Sequence, residues 1–99
     1  MALESSGPTH PIEVVLVEAP ACHLCEDAAR ALEELAREGA LSVRQVDIAS
    51  AEGRAIVRRH RAPMPPVVII DGELLGWGRL SRGKLHRRLD ELTSSGSRG

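Results

Sequence analysis

The chain of 99 residues has no phenylalanine, no tyrosine and a single tryptophan, Trp77. With no aromatics to interleave among its basic residues and a formal net charge of −1, it lacks the pattern of a nucleic-acid binder, and no such partner is expected. Cysteine is equally scarce, with only Cys22 and Cys25. No stretch approaches the roughly 18 apolar residues of a membrane span, and no basic residues precede a short apolar core at the N-terminus. The expectation is a soluble, cytoplasmic chain without a membrane partner. In a reducing cytosol a permanent two-cysteine staple is disfavoured, so the pair points to catalysis or metal binding.

What is present suits one domain: 42% hydrophobic and 27% charged residues over this length build one core. Residues 1–50 carry three Arg against nine Asp and Glu (−6), and residues 51–99 carry nine Arg and one Lys against five (+5). The cysteines thus lie in the acidic half. Residues 1–11 and 93–99 are rich in Ser, Gly and Pro and lack periodicity, and are expected to be flexible tails around a domain at 12–92.

Within that body "IEVVLVE" (12–18) reads as a strand covered on both faces. Leu24, Ala28, Ala31, Leu32 and Leu35 recur at helical steps between Cys22 and the stop at Gly39. A weaker strand follows at 41–48, then a short helix at 51–60 with Arg58, Arg59 and Arg61 at its C-terminal end. Charge there suits the helix dipole and reads as a solvated end. "VVII" (67–70), the turn Asp71-Gly72 and Glu73–Leu75 form a hairpin pattern, and Ser81 can cap a last helix with Leu85, Leu89 and Leu92 on one face. The order β-α-β-α-β-β-α predicts an α/β fold, with a mostly parallel sheet, one antiparallel edge and covering helices.

Both cysteines sit where strand gives way to helix, in "APACHLCEDAAR". A thiol in the first turn lies near unpaired N–H groups and the positive end of the dipole, which favour its thiolate. Cys25, three residues on, is placed to attack a mixed disulfide formed at Cys22. His23 reads equally as a tuning imidazolium or a solvated surface side chain. Zinc would need about four ligands, and beyond the cysteines only His10, His23, His60 and His86 are available, none at finger spacing, so no metal is expected.

The strand, "PACHLC" at a helix start, and a proline leading into "VVIIDG" about forty residues later resemble the thioredoxin superfold. The compact size and "PPVVIIDGELLG" are similar to glutaredoxins and glutaredoxin-like proteins, over about residues 12–92. The resemblance implies a mixed four-stranded sheet and a thiol-disulfide oxidoreductase with Cys22 as nucleophile, Cys25 as resolving thiol and a cis-proline beside them. It places that proline six residues before Gly72, at Pro66, with Pro65 as the alternative. The residue before it normally offers N–H and C=O to the substrate. That residue is Pro65, which has no N–H, or Met64, which has both. Gly76 and Trp77 join Met64, Pro65 and Pro66 as substrate-binding candidates, although a lone Trp also reads as a core or loop anchor.

Departures from the family concern glutathione. Ala19 stands where glutaredoxins carry Lys, no other Lys or Arg lies in residues 1–29, and "GWGRLS" (76–81) keeps only part of the Gly-Gly-acid pattern. Anion capture would fall to Arg79 and the Ser81-capped helix. "CHLC" also replaces the common Cys-Pro-Tyr-Cys. The implied protein is a monomer without a bound cofactor, acting on a disulfide-containing protein or a low-molecular-weight thiol, with an external thiol or a flavoprotein reductase as electron donor. A non-catalytic adaptor and a metal or iron–sulfur role through the cysteines are the competing readings.

Overall fold

The computed structural model describes residues 11–39 and 41–98, with side chains through Thr93. The N-terminal tail expected at 1–11 falls, apart from Pro11, outside the described residues. The elements are β1 (Ile12–Glu18), α1 (His23–Arg37), β2 (Leu41–Asp47), α2 (Ala51–His60), β3 (Val67–Ile70), β4 (Glu73–Trp77) and α3 (Arg82–Arg98). This is the order read from the sequence. Among the described residues no helix is long and apolar enough to cross a membrane.

The four strands form one sheet in the order β2-β1-β3-β4. β1 pairs parallel with β2, but β3 runs antiparallel to both β1 and β4. The expected mostly parallel sheet is therefore corrected to one with a single parallel pair. The reason is the path after α2. A parallel crossover requires the helix to carry the chain back to the start of the next strand, whereas α2 and the loop 61–66 return it to the C-terminal end of β1. There β3 begins with Val67 opposite Val17.

The two central strands explain the unbroken apolar runs, because both faces are covered. Val14, Leu16, Val68 and Ile70 point to one face and pack with Ala28, Ala31 and Leu32 of α1 and Leu85 and Leu89 of α3. Val17, Val67 and Ile69 point to the other, where Ala62 and the half-buried Ile56 and Val57 cover them. Asp71 (φ 54°) and Gly72 (φ 83°) both adopt the left-handed region that a tight hairpin turn requires.

α2 is held close to the end of β2 by a small set of contacts. Ser50 caps it, accepting a hydrogen bond from the Gly53 N–H at 2.9 Å and donating to the Asp47 carbonyl at 2.6 Å. Gly53 is buried, and a Cβ built there would overlap the Asp47 carbonyl oxygen and stand 2.9 Å from the Ile48 Cα. Arg44 of β2 and Glu52 of α2 add a two-pronged ion pair at the surface. α3 begins at the predicted cap, Ser81, whose hydroxyl accepts from the Lys84 N–H at 3.2 Å. It then continues to Arg98, so residues 93–98, expected as a tail, are helical. Once a helix is nucleated, each further turn forms at little cost, and the periodic apolar face does not mark where it must stop.

Candidate active site

The chain leaves β1 at Glu18 and turns through Pro20 and Ala21 into α1. Ala21 takes a left-handed conformation (φ 53°), and Cys22 returns to extended backbone as the N-cap of α1. Cys22 therefore sits one step before the first turn in which the sequence placed it. Its carbonyl accepts the Glu26 N–H at 3.0 Å and its Sγ accepts the Cys25 N–H at 3.1 Å. The sulfur occupies the place of the Ser or Asp oxygen that usually caps a helix. Sequence reasoning missed both features, because Ala does not advertise a positive φ and Cys is not an N-cap signal.

Cys22 and Cys25 are joined as a disulfide, with Cα atoms 5.2 Å apart. The two sulfurs are not equivalent: Cys25 is 2% exposed among core residues, whereas Cys22 is half-buried and reachable from solvent. His23 is the first residue of α1, with a fully exposed side chain whose Nδ1 lies 3.8 Å from Glu26 Oε1.

Strand register brings the other candidates to the same end of the sheet. Val17, Val67 and Trp77 lie side by side across β1, β3 and β4. The peptide bond between Pro65 and Pro66 is cis, as the family spacing implied. Pro66 is buried, and its carbonyl accepts the Gly78 N–H at 2.9 Å, tying the proline loop to the end of β4. Met64 and Trp77 are exposed on either side of this join, at 42% and 47%. Trp77 is the last residue of β4 rather than a loop residue, and Gly76 before it is half-buried opposite Val68. Gly76, Trp77, Arg79, Ser81 and Lys84 help line a cavity of about 60 Å³ between β4 and α3. Among the described residues no three His, Cys, Asp or Glu side chains are grouped to hold a metal ion.

The approach to Cys22 is acidic. Glu18 and Asp47 end adjacent parallel strands and line a groove of about 230 Å³ with Ala19, Pro20 and Gln45. Burial raises the Glu18 pKa above its ordinary value, and the carboxylates of Glu33 and Asp47 push it the same way. A carboxyl with a raised folded-state pKa stabilises the fold below its unfolded pKa, and this contribution is lost as pH rises through the folded value. Glu18→Gln is therefore expected to stabilise the protein at pH 7, by less than about 1 kcal/mol because solvent screens the group. Thermal unfolding should show the gain shrinking toward about pH 4.

A central sheet with flanking helices, a cis-proline, and a cysteine pair at the start of the first helix define a thioredoxin-like protein. Residues 13–91 match the glutaredoxin-like domain (DUF836), and the chain belongs to that family. Solved structures agree on the fold. A point-mutant thioredoxin of Halobacterium salinarum is 19% identical with a TM-score of 0.64, covering 85% of this chain and 76% of its own. Reduced thioredoxin of Schistosoma mansoni is 22% identical with a TM-score of 0.61, over 83% and 79%. A Staphylococcus aureus protein of unknown function is 14% identical with a TM-score of 0.64, over 84% and 92%. No curated protein matches the chain.

Proposed function

We propose that the protein is a thiol-disulfide oxidoreductase that reduces disulfides through Cys22 and Cys25. The observation that carries this reading is the asymmetry of the pair: a half-buried Cys22 whose sulfur faces the Cys25 N–H, bonded to a Cys25 sealed in the core. In the reduced protein that N–H and the start of α1 favour negative charge on the Cys22 sulfur. The Cys22 thiolate attacks one sulfur of a substrate disulfide, and the other leaves as a thiolate that takes a proton. Cys25, deprotonated, then attacks the mixed disulfide at Cys22, closing the internal disulfide and releasing the second substrate thiol. Two electrons pass to the substrate. An external thiol or a flavoprotein reductase returns them, so no bound cofactor is required.

The exposed Met64 and Trp77 stand near the Pro65-Pro66 bond, where a substrate chain would meet the end of the sheet at the start of β3. Pro65 offers only its carbonyl there, so recognition leans on side chains more than on paired backbone bonds. His23, beside Cys22 in the chain, is the candidate for tuning the nucleophile. A cytoplasmic monomer is the form in which we expect it to act. Graded thiol/disulfide buffers, followed by alkylation and mass measurement, test the proposal. We expect a reversible two-electron transition between roughly −120 and −270 mV, the span of dithiol catalysts. A pair that never closes, or one that metal protects from alkylation, would overturn it.

A further inference from the structure

Two arginines, Arg54 on α2 and Arg61 just after it, are not explained by the fold. Arg44, Arg82 and Arg88 each pair with a carboxylate, with Glu52, Asp27 and Glu73 respectively. Arg54, Arg58 and Arg61 are exposed and make no ion pair among the described residues. A dipole-compatible helix end accounts for Arg58, which lies in the last turn. It does not account for Arg54, one turn earlier, where the dipole gives a cation nothing. Nor does it account for Arg61, which caps the helix at φ 53° and ψ 41°, a conformation that Gly or Asn adopts at lower cost.

Arg54 and Arg58 stand over a groove of about 270 Å³ floored by Ile48 and Val57. The Ile48 N–H bonds to the Glu18 carbonyl at 2.9 Å, so this groove begins beside the strand that leads to Cys22. At the other end Arg61 precedes the loop that carries exposed Met64 to the cis-proline. The result is a cationic stripe, Arg54 and Arg58 over an apolar floor with Arg61 beyond it, set between the end of β1 and the loop that carries the cis-proline.

We infer that this stripe docks the protein that carries the disulfide, through an acidic patch displaced to one side of that disulfide; the inference rests on the oxidoreductase reading. Charge complementarity selects carboxylates. The displacement follows from Glu18 and Glu26, which stand close to Cys22 in the chain and repel acid placed directly over it. The same acidic half disfavours a polyphosphate chain, and the apolar floor suits a folded protein surface. A partner therefore engages in one orientation, with its acidic side on α2 and its disulfide over Cys22.

Three synthetic peptides test this, each with one intramolecular disulfide and about four flanking residues of Glu, Lys or Gln. The reduced full chain is expected to reduce the Glu peptide about tenfold faster than the Lys peptide near 20 mM salt, and at similar rates near 300 mM. Triple substitution R54Q/R58Q/R61Q should abolish the preference, and R54K/R58K/R61K should retain most of it. Equal rates in the wild type, or a preference that survives the Gln variant, overturn the inference. So does tighter anisotropy-detected binding of a single-stranded RNA than of the Glu peptide at the same salt. If even the Gln peptide is not reduced, the oxidoreductase reading is what fails. Labelled Glu peptide then decides the surface: low-salt binding lost in the Gln variant supports it, and no binding overturns it.

Discussion

Gly53→Ala is expected to destabilise the protein by about 3 kcal/mol, although the same change in an open helix stabilises by about 1 kcal/mol. The added methyl would overlap the Asp47 carbonyl oxygen and press on the Ile48 Cα at 2.9 Å. Both are backbone atoms, and neither can swing away as a side chain would. Relief requires α2 to lift from the end of β2, which would stretch the Ser50 cap and thin the cover over Val17, Val67 and Ile69. Gly83, near the start of α3, supplies the opposite case. A Cβ there meets only the flexible end of Arg87 at 3.6 Å, so Gly83→Ala should be neutral or stabilising by up to about 1 kcal/mol. Urea unfolding of both variants measures the pair. Equal effects at the two glycines would show that the α2 contact yields.

Cys22→Ser is expected to reduce disulfide turnover to the uncatalysed background, because the hydroxyl left in its place is not a thiolate and the remaining thiol, Cys25, is buried away from a substrate disulfide. Cys25→Ser should behave differently. Cys22 still attacks, but no resolving thiol follows, and the protein accumulates as a mixed disulfide whose mass is increased by that of the substrate. The difference in burial predicts the asymmetry: in the reduced wild type, iodoacetamide should reach Cys22 well before Cys25, which is 2% exposed. Intact-mass measurement after short alkylation checks the order. If Cys22→Ser retains turnover, the pair does not work as proposed. If it loses turnover while partner binding persists, docking and chemistry separate cleanly on this surface.

The elements themselves were legible because their signals are local. Leu24, Ala28, Ala31, Leu32 and Leu35 repeat at the helical period, "VVII" is followed by the Asp71-Gly72 turn, and Ser81 stands at the start of α3. Each depends on a few neighbouring residues, so the pattern survives without tertiary information. The cysteine pair was legible for the same reason, since three-residue spacing on a helix is a short-range constraint. The direction of β3 was not, because it depends on where a six-residue loop returns the chain rather than on any pattern within β3. Gly53 was hidden for a similar reason: a glycine inside a helix reads as a weakness until the backbone packed against it is seen.

By itself the sequence determined the order of elements, the aliphatic runs that become the central strands, and the placing of both cysteines at one strand-to-helix junction. Tertiary structure alone decided that Cys25 is sealed while Cys22 is half-buried, and that Pro66, Gly78 and Trp77 come together at the same end of the sheet. The physical reason is range. Periodicity and turn chemistry act between residues a few positions apart, whereas burial and surface continuity depend on segments as distant as β1 and α2 being brought together by one aliphatic core.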